Sequence, residues 1–132
     1  MISKVKLIGL VIGLFLVDQI FKYIAIKYYP QLVSYNYGIV FGWIDNKFLV
    51  VLLLLVGFLI FIWLFVKSKK DFSLPLLLIL SGATSNILDR FIYGGVVDYI
   101  NLNFFTNFNL ADVYIVVGSF WYIFKAIKYP KK

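Results

Sequence analysis

The sequence has no cysteine and no histidine, and all six of its acidic residues are aspartate. Without cysteine there are no disulfides, thiol nucleophiles or thiolate metal sites. Without histidine, the usual zinc constellations and the histidine-based catalytic triads are closed off as well. Charge is scarce: 14% of the 132 residues are charged and 63% are hydrophobic, a membrane composition rather than that of a soluble domain. The net charge of +7 raises nucleic acid as a partner. Nine of the thirteen basic residues, however, gather at the chain ends and in one short loop, which makes no basic face for phosphates, so no nucleic-acid partner is expected. Any chemistry must come from Asp, Lys, Arg, Ser, Tyr, Asn or backbone groups.

What the chain does have is long apolar runs. A hydrocarbon core about 30 Å thick takes about 20 helical residues. Four segments approach that length, roughly residues 5–26, 48–66, 72–88 and 112–128. The second, FLVVLLLLVGFLIFIWLFV, is free of charge from end to end. The third carries Pro75 in its first turn, where a missing N–H costs little. The fourth has twelve uncharged residues before Lys125 and reaches span length if Lys125 and Lys128 snorkel toward the interface. The N-terminus imitates a secretory signal peptide, but DQIFK follows the apolar run in place of a small-residue cleavage site. It reads as an uncleaved first membrane helix.

Four spans put both termini and the KSKKD turn on one side, together with nine of the basic residues; Lys22, Lys27, Lys47 and Arg90 belong to the other. That asymmetry makes both termini cytoplasmic and segments 27–47 and 89–111 extracytoplasmic. Within the first of these, LVSYNYGIVFGWI alternates and carries Gly and aromatics, which suits a short strand pair or a hairpin on the membrane surface. Its Tyr and Trp equally suit plain interface anchoring.

A few polar residues need a reason to sit among so many apolar ones. Asp18 and Lys22 are four apart on one helix face, the spacing of an ion pair that locks the helix to its neighbours. A catalytic Lys22 would need a partner serine on the outer side, where Ser34 is the candidate. Asn86 and Arg90 fall at i and i+4 near the outer end of the third helix, with Asp89 beside them. Arg90 is explained by the last carbonyls of that helix and a nearby Asp. Asn86, inside the span, must bond something specific. Asp112 opens the fourth helix and suits an N-cap. Asp98 follows GGVV, a pair of glycines fit for a turn or a close backbone approach, in a stretch too apolar for an ordinary solvated loop.

If Asp98 and Asp112 meet at the mouth of the bundle, they cannot both ionise comfortably and share one proton. Such a pair supplies a general base and a general acid from identical residues, with no histidine, cysteine or metal.

In sequence order, DQIFK, NYGIVFG, NILDRFIYGGVVDYI and FNLADVYIVVG resemble the four motif blocks of the bacterial lipoprotein signal peptidases (signal peptidase II), membrane aspartyl peptidases. The resemblance implies an all-α polytopic membrane protein, a four-transmembrane-helix bundle with a small extracytoplasmic β-cradle. It implies Asp98 and Asp112 as the catalytic pair, and Asn36, Asn86, Arg90 and Asn109 as residues that line the site or hold substrate. Asp18, Lys22 and Asp89 become supporting residues. The implied substrate is a prolipoprotein whose Cys already bears diacylglycerol, cut just before that Cys, in the bacterial cytoplasmic membrane. No cofactor or metal is expected, the other partners are membrane lipids, and the chain is expected to act as a monomer. Val40 stands where the family usually has Ala, Ser81 and Ser85 replace common glycines, and Tyr99 follows Asp98 in place of Phe.

Two other functions compete. A small ion or proton transporter predicts charges spread through the membrane depth, whereas here they sit toward one face and the second span has none. A scaffold subunit accounts for the small residues and aromatics but leaves the placement of Asp98 and Asp112 accidental.

Overall fold

A computed structural model describes residues 4–38, 52, 56–60, 63, 73–104 and 106–128. Helix α1 (Lys4–Tyr28) is followed by a 3-10 turn at Pro30–Leu32 and strand β1 (Ser34–Asn36). Helix α2 (Ser73–Tyr93), strand β2 (Val96–Asp98) and helix α3 (Leu110–Lys128) complete the order. The protein is mostly helical, and Lys6–Tyr28, Ser73–Tyr93 and Leu110–Lys128 are long and apolar enough to cross a membrane. Most of the span expected at 48–66 lies outside the described residues; Leu52, residues 56–60 and Trp63 are helical. Val40 is likewise outside them.

The interior is polar and the exterior apolar. Among the described residues, eight buried side chains are polar or charged and six are apolar, while Ile12, Leu59, Phe120 and Ile127 are each more than half exposed. Lipid is as apolar as leucine, so helices in a bilayer associate through close packing and polar contacts rather than hydrophobic burial. Close packing is visible between α2 and α3. A Cβ on Gly82 would run into the Ala111 carbonyl oxygen, and one on Gly118 would lie 2.7 Å from the Pro75 carbonyl oxygen. Ser81 and Ser85 are fully buried, and the Ser81 hydroxyl donates to the Leu77 carbonyl one turn back at 2.9 Å.

Helix α2 ends at Gly94, which takes φ +75° while its N–H donates to the Arg90 carbonyl at 3.1 Å. This left-handed residue satisfies an otherwise orphaned carbonyl and turns the chain into β2. Gly95 serves a different need, because a Cβ there would lie 2.8 Å from the Tyr37 ring. The two glycines thus divide between a turn and a close approach. β1 and β2 form an antiparallel two-stranded sheet in the register Ser34↔Asp98, Tyr35↔Val97, Asn36↔Val96. Two side chains cap the Val97 backbone: its N–H donates to Asp89 Oδ2 at 3.1 Å, and its carbonyl accepts from Asn109 Nδ2 at 3.2 Å. β2 is thereby tied to both α2 and the start of α3.

Candidate active site

The start of α3 is where the polar interior converges. Asn109, rather than Asp112, is the N-cap: its carbonyl accepts from Val113 N–H and its Oδ1 accepts from Asp112 N–H at 2.9 Å. Asp112 sits three residues on and reaches back, its Oδ2 accepting from Asn109 N–H at 3.1 Å. This reciprocal box satisfies two backbone donors at once. The other two free N–H groups of the first turn find partners from afar. Leu110 N–H donates to the Tyr99 hydroxyl at 3.2 Å, and Ala111 N–H donates to Asp18 Oδ1 at 3.0 Å. The helix that carries Asp112 is therefore pinned by α1 and by the segment just after Asp98.

Asp98 ends β2 and is buried. Asn109 Nδ2 donates to its Oδ1 at 2.8 Å, so one asparagine touches both carboxylates. Burial pushes the Asp98 carboxyl from the ordinary 3.8 up to about 7, and the Asp112 charge pushes the same way, against hydrogen bonds from Asn109 and Asn36 and the charge of Lys22. Asn36 takes up the opposite side of Asp98, with its own Oδ1 accepting from Gly38 N–H at 3.2 Å.

Asn86 meets the demand that its position inside a span imposes. Its Nδ2 donates to Asp112 Oδ1 at 2.8 Å, while its Oδ1 accepts from Lys22 Nζ at 3.1 Å and Asn109 Nδ2 at 3.2 Å. Arg90 behaves as a helix-end cation: Nη1 donates to the Asn86 carbonyl at 3.1 Å and Nη2 to the Gly38 carbonyl at 3.5 Å. Its Nε is buried with no hydrogen-bond partner among the described residues.

Beneath this pair lies a second cluster. Lys22 Nζ is 2.7 Å from both Asp18 Oδ2 and Asp89 Oδ2, and all three side chains are buried. The ion pair expected from the i, i+4 spacing is present, and Asp89 joins it from α2. Ser85 donates to Asp18 Oδ2 at 2.5 Å, and Gln19 Nε2 donates to Ser85 Oγ at 2.8 Å and Asp89 Oδ1 at 2.9 Å. Ser34 is not a partner of Lys22; its hydroxyl accepts from Asn107 Nδ2 at 2.7 Å, and the serine beside Lys22 is Ser85, whose Oγ accepts from Lys22 Nζ at 3.3 Å while its own proton goes to Asp18. Tyr99 bridges the two clusters, donating to Asp18 Oδ1 at 3.2 Å while it accepts from Leu110.

Asp98, Asp112, Asn36, Asn86, Arg90 and Asn109 are thus gathered around one carboxylate pair, with Asp18, Lys22 and Asp89 directly below it. Sequence reasoning passed over Gln19, Ser85 and Tyr99 as network members. Gln19 reaches Ser85 and Asp89 across 66 and 70 residues, Ser85 reaches Asp18 across 67, and Tyr99 reaches Asp18 across 81, so no local spacing announces these bonds. No group of three or more acidic side chains among the described residues is arranged to hold a metal ion.

A family model described as signal peptidase (SPase) II matches residues 10–128. A lipoprotein signal peptidase of Caldanaerobacter subterraneus subsp. tengcongensis is 37% identical over 77% of this chain and 82% of its own length. One from Sulfurimonas denitrificans is 36% identical over 95% of this chain and 89% of its own. A solved structure of a bacterial membrane enzyme superposes with a TM-score of 0.83 at 22% identity, covering 98% of this chain and 93% of that one, which shows a shared fold.

Proposed function

The chain belongs to the signal peptidase II family, and on that premise we propose that it is an aspartic endopeptidase of the bacterial membrane. Its substrate is a prolipoprotein already carrying diacylglycerol on its Cys, and it cuts the peptide bond just before that Cys. The observation that carries the reading is the Asp98–Asp112 pair: two carboxylates held by the same asparagine, with amides rather than a cation in hydrogen-bond contact.

The environments divide the roles. Asp98, buried and titrating near 7, holds the shared proton. Asp112 accepts N–H bonds from Asn86 and from the Asn109 backbone, the surroundings of an ionised carboxylate. In this reading Asp112 draws a proton from water as the water attacks the scissile carbonyl. Asp98 polarises the carbonyl oxygen and then passes its proton toward the departing amine. Asn36 and Arg90 face the same space from β1 and α2 and are placed to hold the substrate backbone. No metal or other cofactor enters the scheme.

The reading includes four spans, both termini in the cytoplasm, and the β1–β2 sheet as part of an extracytoplasmic cradle over the bundle. Its acyl chains in the bilayer and its scissile bond at the surface bring the substrate to such a site from the membrane side, each buried CH₂ contributing about 0.8 kcal/mol. The protein acts as a monomer among membrane lipids. The deciding experiment is cleavage of a diacylglyceryl-modified precursor by the purified protein in lipid, beside Asp98→Asn and Asp112→Asn, with an unlipidated precursor as control. Cleavage of the lipidated form only, lost in both folded variants, is the expected result. Full activity in either variant sinks the aspartate pair; no cleavage by folded wild type sinks the peptidase, and proton flux through vesicles then becomes the measurement to make.

A further inference from the structure

Lys22 is balanced by two carboxylates, yet it makes a further contact that charge balance does not require. Its ammonium donates to Asn86 Oδ1 at 3.1 Å. An ammonium has three donors and no acceptor, so the end of the Asn86 amide that faces it must be the oxygen. Asn109 Nδ2 donates to that same oxygen at 3.2 Å. Asn109 is itself turned this way because its Oδ1 is occupied by the Asp112 N–H. The NH₂ end of Asn86 then has one direction left, toward Asp112 Oδ1 at 2.8 Å. Reversed, the amide would set an oxygen against the Asp112 carboxylate and an NH₂ against the Lys22 ammonium.

We propose that Lys22 is a positioning residue for the hydrolysis: by fixing the direction of the Asn86 amide, it presents Asp112 with an N–H donor rather than a carbonyl oxygen. The inference rests on Asp98 and Asp112 being the catalytic pair. Lys22 reaches substrate at no point; it acts through Asn86. The other titratable groups facing this region are Asp18 and Asp89 on Lys22, Arg90 near both catalytic carboxylates, and Tyr99 and Tyr114 near Asp18.

Removing Lys22 alone would strand Asp18 and Asp89 as unpaired buried charges and endanger the fold. The test therefore uses the triple variant Asp18→Asn/Lys22→Met/Asp89→Asn, in which the cluster is neutral, and Lys22→Arg, which keeps a donor-only cation. Cleavage of the lipidated precursor is followed against pH for these variants, for wild type, and for Asp98→Asn and Asp112→Asn. With the amide free to turn, the acid-side limb of the triple variant, which reports the first ionisation of the pair, moves up by roughly one pH unit. Lys22→Arg keeps the wild-type limb position, although its amplitude falls. If the folded triple variant loses amplitude with both limbs in place, Lys22 is structural only and the inference is overturned. If Asp98→Asn or Asp112→Asn cleaves normally, the premise that the two aspartates are the catalytic pair has failed, a different result from the first.

A second measurement needs no variant. In asparagine-labelled wild type, the Asn86 side-chain NH₂ resonance shifts across the pH range in which activity rises, because it is bonded to the ionising pair. An NH₂ signal that does not respond over that range overturns the inference whether or not the triple variant folds.

Discussion

Two sets of aspartates share the polar interior of this protein, Asp18 and Asp89 fully buried, Asp98 buried and Asp112 half-buried, and they are treated in opposite ways. Asp18 and Asp89 close on the Lys22 ammonium at 2.7 Å each, with Ser85 and Gln19 filling their remaining lone pairs. Among the described residues, Asp98 and Asp112 have asparagine amides and a backbone N–H as their hydrogen-bond partners. A cation at contact distance offsets the charge of a buried carboxylate and ties two helices together, which suits a strut. Neutral amides support a charge without fixing it, so a proton can come and go, which suits an acid–base pair. The same residue type stands in two different settings according to whether an ammonium lies beside it, and in the proposed reading the first set is scaffold and the second reagent.

The largest effect that tests this contrast is on turnover. Asp98→Asn and Asp112→Asn should each lower cleavage by about 10²–10⁴-fold, the span of a lost general acid or base. Neither should lower the melting temperature to match. Asp18→Asn and Asp89→Asn should do the reverse, costing mainly thermal stability. A folded Asp89→Asn protein as inactive as Asp98→Asn would erase the distinction.

Next in size is Lys22→Met. Two buried carboxylates lose their only ammonium, so about 3–5 kcal/mol of stability should go, seen as a depressed denaturation midpoint. A loss below about 1 kcal/mol, the range of an exposed ion pair, would mean that water reaches the cluster.

A pH effect on stability follows for the other set. Burial and the Asp112 charge favour the protonated form of Asp98, so the folded state holds that proton more tightly than the unfolded chain does. Stability from this group is complete near and below pH 3.8 and is lost as pH rises through about 7. Wild type should thus lose stability relative to Asp98→Asn between those values, read from melting curves across pH. A difference that stays constant over the window would place Asp98 in a more polar setting than its burial indicates.

The smallest effect concerns the link between the sets. Tyr99→Phe removes only the hydroxyl that joins Asp18 to Leu110, and should cost about 1–2 kcal/mol with the Phe21 stacking kept. Cleavage should fall a few-fold through turnover rather than substrate affinity, because the bond orients the helix bearing Asp112. An affinity change instead would move Tyr99 into the substrate site.

Much of this site was legible before any coordinates. Apolar run lengths located the helices, and the i, i+4 spacing of Asp18 and Lys22 foretold their ion pair. Asn86 could not lie in a span without partners, and it has three of them. Where reasoning stayed local it also went astray. Asp112 looks like an N-cap from its place at the head of an apolar run, but the helix begins earlier and Asn109 takes the cap. An Asn and an Asp three apart can serve either way, and only the path of the chain into the helix chooses between them.

The sequence by itself determined that this is a membrane protein and that histidine and cysteine take no part in its chemistry, because lipid admits only long apolar helices and the chain has neither residue. It also determined which turns are possible, through the glycines that bend and the glycines that let helices touch. Tertiary structure alone decided that Asp89 joins Asp18 on the same cation while Asp98 and Asp112 do not. Asp89 reaches Lys22, and Tyr99 reaches Asp18, only because α1, α2 and the segment after β2 pack at one level. Periodicity fixes the face on which a side chain lies, but the partner that faces it is set by how separate helices are stacked.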